Sequence, residues 1–167
     1  MKIENFRPVY TASALKTLEI ELQALKTLKG VLQTQRFGHS LDMAIDAMVQ
    51  TKGRVIVSGM GKSGHIGRKI AATLRSTGTS SVFLHPGEAS HGDLGVITQG
   101  DVVLAITWSG ETAELRDIFD YCHRLGSKLI VATAHPDSSA ARAADICLEL
   151  PQVREACPND LAPKIGR

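Results

Sequence analysis

Apolar residues at Leu15, Leu18, Leu22, Leu25, Leu28 and Leu32 recur with a helical period between polar neighbours, and predict one long amphipathic helix near the start of the chain. A second stripe, Leu41, Ala44, Ile45, Met48 and Val49, predicts another, with Ser40 as its N-cap and Gly53 as its stop. Beyond Gly53 the period changes. Short β-branched runs appear at Arg54-Val-Ile-Val-Ser58, Ser81-Val-Phe-Leu84, Asp101-Val-Val-Leu-Ala-Ile106, Lys128-Leu-Ile-Val-Ala132 and Ile146-Cys-Leu-Glu-Leu150, and predict five buried strands. Helical patterns lie between them at 63–77, 112–125 and 138–144, with a looser stretch at 88–96. Strands alternating with helices, the strands apolar throughout, indicate an α/β fold with a parallel sheet covered on both faces. From Pro151 to Arg167 the periodicity stops, three prolines appear, and an irregular tail carrying Glu155 is expected.

Composition narrows the class without naming a function. At 167 residues, 43% hydrophobic and 22% charged, the chain suits one globular domain, residues 1–167, with a single sizeable core. A net charge of +2 and the lack of a Lys/Arg run give no reason to expect nucleic acid or an anionic membrane as partner. Cys122, Cys147 and Cys157 are odd in number and lack CxxC spacing, which argues against a disulfide framework or a cysteine zinc site and for a reducing cytoplasm. No signal-like start and no apolar run of about 18 residues occurs, so a soluble internal protein is expected.

The chemistry concentrates in loops after strands. Ser58-Gly-Met-Gly-Lys-Ser-Gly-His65 and Thr107-Trp-Ser-Gly-Glu-Thr112 each follow an apolar strand and open a helix, which is where backbone N–H groups are free to bind an anion. Gly61, Ser63, Thr107, Ser109, Gly110 and Thr112 are therefore candidate phosphate contacts, with Lys62 at the loop tip. The run Gly59-Met-Gly61-Lys-Ser-Gly64 also fits the dinucleotide fingerprint, but the second strand ends in Leu84-His85-Pro86 where that site needs an acid for the ribose. A Walker loop would need glycine where Ile56 stands. A small phosphate ester remains as the favoured ligand, against a tight turn that merely brings helix close to strand. The loop His85-Pro-Gly-Glu-Ala-Ser-His91-Gly-Asp93 gathers groups able to move protons near neutrality, and Glu114 is either a helix-dipole complement or a general base.

These runs, with Arg154-Glu-Ala-Cys-Pro158, closely resemble the arabinose-5-phosphate isomerases, sugar-isomerase (SIS) domain proteins, over nearly the whole chain. The resemblance implies a three-layer flavodoxin-like fold and reversible aldose–ketose isomerisation of D-ribulose 5-phosphate and D-arabinose 5-phosphate, without a redox cofactor, on the route to the Kdo sugar of lipopolysaccharide. It implies catalytic roles for Lys62, His91, Glu114 and Glu155, with either Glu as base. It adds Gly78, Thr79 and His85 as substrate contacts, His85 also as a site for an inhibitory divalent metal, and a homotetramer with sites between subunits. A non-catalytic phosphosugar-binding module and a hexulose-phosphate isomerase are the alternatives. Two departures stand out: Trp108 occupies a position usually Asn, and the chain stops before the further helix, the His-Pro-Gly-Gly segment and the CBS domains that usually follow, as a truncated form would.

Overall fold

A computed structural model describes residues 8–156. The five strands stand where the pattern predicts them: β1 (Val55–Gly59), β2 (Ser81–Leu84), β3 (Val102–Ile106), β4 (Lys128–Thr133) and β5 (Ile146–Glu149). All neighbours pair in parallel, in the order β2-β1-β3-β4-β5. That is the flavodoxin-like order, so the expected fold class holds. Parallel neighbours need crossovers, and these are supplied by α3 (Gly61–Ser76), α4 (Pro86–Ser90), α5 (Arg116–Leu125) and α6 (Ser139–Ala143). The helices α1 (Pro8–Leu32) and α2 (Gln35–Gln50) precede the sheet.

Alternation along the strands divides the core into two layers. Ile56, Val103, Ala105, Leu129 and Val131 meet Ile118, Phe119 and Cys122 of α5 on one face, while Val55, Val57, Leu104 and Ile130 meet Ala44 of α2 and Ala71 of α3 on the other. Each large side chain fully buried here contributes about 1.5–3 kcal/mol. Burial also pushes the Cys122 thiol up to about 12, and raises that of Cys147, so both stay protonated and inert. Cys157 lies outside the described residues.

Local boundaries differ from those expected. Helix α2 starts at Gln35, not at Ser40: Thr34 is the N-cap, its Oγ1 accepting from the Phe37 N–H at 3.3 Å, and buried Phe37 extends the stripe of Ala44 by two turns. Gly53 does not stop that helix, which ends at Gln50 with Thr51 as C-cap. The looser stretch resolves into α4 and a 3-10 turn at Asp93–Val96, while the segment from 112 begins with a 3-10 turn at Ala113–Leu115 before α5. The long α1 is present, but its stripe is not buried within the chain: Leu15, Leu18, Leu22 and Leu25 are each more than half exposed. Among the described residues no helix is long and apolar enough to cross a membrane.

Candidate functional site

The strand order reverses between β1 and β3, so their carboxyl ends, Gly59 beside Ile106, flank the crevice where ligands of such sheets bind. The helical segments following β1, β2 and β3 start at this edge, and none has a side-chain cap: Met60, His85 and Thr112 make no capping hydrogen bond. Their first N–H groups lack intrahelical acceptors, and the sixteen-residue α3 adds its dipole, so an anion is favoured there. The contrast is α6, after β4, where Ser138 Oγ accepts from the Ala141 N–H at 3.3 Å.

The glycine loop owes its spacing to packing. A Cβ on Gly64 would stand 2.6 Å from the Gly59 carbonyl oxygen, and one on Gly59 would stand 3.0 Å from the Ile106 oxygen. Both glycines are required for α3 to start tight against the ends of β1 and β3. The glycine spacing is thus accounted for by the close approach of helix to strand. Ser58 Oγ donates to the Leu84 carbonyl at 2.8 Å and ties β2 to this edge, bringing His85 alongside. Gly61, Lys62 and Ser63 form the first turn of α3, with Lys62 exposed.

The second loop is held by its own hydroxyls. Thr107 is buried; its Oγ1 lies 2.9 Å from Thr112 Oγ1 and accepts from the Gly110 N–H at 3.2 Å. Ser109 Oγ accepts from the Glu111 N–H at 3.2 Å. Gly110 sits at φ 69°, where a Cβ would also overlap Ser138. Glu111 reaches across to α6, accepting from the Ser139 N–H and hydroxyl, both at 2.7 Å. The Ser139 backbone N–H, then its hydroxyl, hold the Glu111 carboxyl below its usual range. Sequence reasoning passed over Glu111, because its partner is twenty-eight residues away.

After β5 the chain crosses back over the sheet edge as an irregular strap, residues 150–155. The Leu150 N–H donates to Thr133 O at 2.8 Å, Gln152 Nε2 donates to Ala134 O at 3.2 Å, and the Glu155 carboxylate arrives 3.7 Å from Lys62 Nζ. The structure thereby joins two expected catalytic residues that lie 93 positions apart in the chain. Exposed His91 ends α4, which packs against the 3-10 turn carrying exposed Glu114. Buried His85 Nδ1 has no hydrogen-bond partner. Among the described residues no group of three or more His, Cys, Asp or Glu could hold a metal ion. Gly78 and Thr79 do not join this group. They precede β2 at the opposite edge, level with the start of β1, roughly 13 Å along the strand from Gly59.

Residues 48–163 match the SIS domain. The chain belongs to the SIS-domain family. Arabinose 5-phosphate isomerase KdsD of Pseudomonas aeruginosa is 49% identical over 151 residues, covering 90% of this chain and 45% of that protein. Arabinose 5-phosphate isomerase KpsF of Escherichia coli O6:H1 is 44% identical over 156 residues, covering 93% of this chain and 46% of that protein. The chain therefore spans about half the length of the curated relatives it matches. A protein of E. coli CFT073 solved in complex with arabinose 5-phosphate superposes with a TM-score of 0.84 at 36% identity, covering 96% of this chain and 82% of that one. In this SIS domain a cavity of about 610 Å³ also opens beside the second loop, its lining including Ser109, Glu111, His135, Asp137, Leu150 and Pro151. The His135-Pro136-Asp137 segment carries no recognisable motif, and only the fold brings it to the second loop.

Proposed function

We propose that this chain is the isomerase domain of an arabinose 5-phosphate isomerase, interconverting D-arabinose 5-phosphate and D-ribulose 5-phosphate. The observation that carries the reading is the Lys62–Glu155 contact at the uncapped start of α3, which sets a cation and a carboxylate beside an anion site. The phosphate is bound by the α3 N-terminus with Gly61 and Ser63, and by Ser109, Gly110 and Thr112, while Thr107 shapes that loop. Glu155 or Glu114 takes the C2 proton of the aldose, and the resulting enediolate receives it back at C1 to give the ketose. Lys62 offsets the charge that develops on oxygen, and His91 moves a proton between the oxygens or assists ring opening. His85, with its free Nδ1, contacts the sugar and is the point at which a divalent ion would inhibit. The identity to the two named isomerases supports this substrate, and the sugar-phosphate complex of the E. coli CFT073 relative supports the ligand class.

Oligomer formation follows the same reading. The exposed leucines of α1 are the surface on which copies assemble, and a second copy would bring Gly78 and Thr79 to the site, consistent with a homotetramer. The domain would act in the cytoplasm, supplying arabinose 5-phosphate for Kdo and lipopolysaccharide synthesis. Proton NMR with D-arabinose 5-phosphate in D2O tests the activity. Ribulose 5-phosphate should form with deuterium at C1, and deuterium should enter C2 of the remaining arabinose 5-phosphate. Binding without exchange would make the domain a phosphosugar-binding module instead.

A further inference from the structure

We propose that Glu111 is a positioning residue for the phosphate, its carboxylate clamping the second loop to the start of α6 so that Ser109, Gly110 and Thr112 are set for the ligand; this rests on the phosphate-loop reading above. Two successive loop residues are gripped by two successive residues of α6. The Ser139 N–H and hydroxyl donate to the two oxygens of Glu111, both at 2.7 Å, and the Ala140 N–H donates to the Gly110 carbonyl at 3.0 Å. The next N–H, that of Ala141, donates to Ser138 Oγ at 3.3 Å. The first three N–H groups of α6 are therefore engaged within the chain, whereas the start of α3 has no side-chain cap.

The loop needs this clamp at its far end. Its start is tied to β4, where the Thr107 N–H donates to the Ala132 carbonyl at 3.0 Å and the Trp108 carbonyl accepts from Thr133 Oγ1 and the Ala134 N–H, both at 3.2 Å. Past that point, among the described residues, the hydrogen bonds of 109–112 that leave the loop and the turn after it go to α6. Gly110, at φ 69°, lies so close to Ser138 that no side chain fits between loop and helix, which brings Glu111 within reach of Ser139. The clamp also settles an electrostatic conflict. Glu111 stands between Gly110 and Thr112, where an unpaired negative charge would oppose a bound phosphate. Both of its oxygens are instead committed to α6. Glu111 then acts on the ligand through the shape of the loop and touches no reacting atom.

The test compares Glu111→Ala, Glu111→Gln, Ser139→Pro and the double variant Glu111→Ala/Ser139→Pro by calorimetric titration with arabinose 5-phosphate and by turnover of the same sugar. Ser139→Pro removes both donors from the opposite side of the clamp, and proline suits the first position of a helix after the extended Ser138, at φ −73° and ψ 164°. Glu111→Ala should raise Kd roughly 10-fold, the scale of one hydrogen bond to a charged group. KM should rise with Kd while kcat falls less, because the phosphate lies away from the reacting carbons. Charge alone gives the opposite sign, since removing an anion from the loop would tighten binding. Glu111→Gln keeps an acceptor for the Ser139 N–H and should recover part of the loss. Ser139→Pro should match Glu111→Ala, and the double variant should be little worse than either, since all three break one clamp. Unchanged or tighter binding in Glu111→Ala, equal binding by the Ala and Gln variants, or losses that multiply in the double variant would overturn the proposal. If the unmodified chain binds the sugar without turnover, the isomerase reading fails and Kd alone decides the positioning role. An unmodified chain that does not bind overturns both. Should Glu111→Ala fail to fold, Ser139→Pro and Glu111→Gln test the same clamp by the same titration.

Discussion

The two edges of the sheet are built on opposite principles. At the amino edge polar groups are satisfied by one another. Asp101 is 2% exposed, and its carboxylate accepts from the Arg54 N–H at 2.7 Å, the Thr98 N–H at 2.8 Å, Thr98 Oγ1 at 3.0 Å and the Arg54 guanidinium at 3.2 Å. Gly53 belongs to this lock, since a Cβ there would stand 2.7 Å from the Gly100 carbonyl oxygen. At the carboxyl edge the helical segments after β1, β2 and β3 start uncapped, Lys62, His91, Glu114 and Glu155 are exposed, and His85 Nδ1 has no partner. The comparison teaches that this domain gathers its satisfied polar network at the amino edge and leaves helix starts uncapped and charged side chains exposed at the carboxyl edge.

Substitution on each edge should therefore act on a different quantity. The largest effect is expected for Lys62→Ala, which should lower kcat/KM for arabinose 5-phosphate by roughly 100- to 1,000-fold, the scale for losing one group that offsets developing charge. Its melting temperature should barely move, because the ion pair it loses is solvent-exposed. A large drop in stability together with activity would erase the distinction between the edges. Asp101→Ala should do the reverse, costing about 3 kcal/mol in urea unfolding by taking the acceptor from the Arg54 and Thr98 N–H groups and the Thr98 hydroxyl, while kcat of the folded fraction stays near that of the unmodified chain.

Acid should act through the same lock. Burial raises the Asp101 carboxyl, but the backbone N–H groups of Thr98 and Arg54, then their side chains, outweigh it and hold the group below its ordinary value. A carboxyl depressed in the fold contributes stability that is complete above its unfolded pKa and is lost as pH falls through its folded pKa. Thermal melts should therefore weaken as pH drops below about 4, and Asp101→Asn should flatten that dependence; an unchanged slope would assign acid sensitivity elsewhere. The smallest effect is expected at the exposed Lys128–Asp145 pair, 3.3 Å apart, where Lys128→Ala should change stability by about 0.5 kcal/mol or less. A larger loss there would mean that the amino edge extends further along β4 than its hydrogen bonds indicate.

Local chemistry explains what could be read early. The five strands were legible because a strand buried on both faces must be apolar at every position, as in Val102-Val-Leu-Ala-Ile106. The two loops were legible because Gly59, Gly64 and Gly110 stand where a Cβ has no room, so their spacing is imposed by backbone approach. Helix boundaries were less legible. Thr34 and Ser40 are equally good caps by residue type, and only the burial of Phe37 decides between them.

What the sequence determined by itself was the order of elements, the parallel sheet and the place of its glycine loops at strand ends, since periodicity and glycine spacing are properties of neighbouring residues. What only the tertiary structure decided were meetings between distant residues. Glu111 caps α6 and Glu155 crosses the sheet to Lys62, while Gly78 and Thr79 stand at the far edge. Each depends on where a strap or crossover lands after the strands have paired, and no local pattern along the chain encodes that distance.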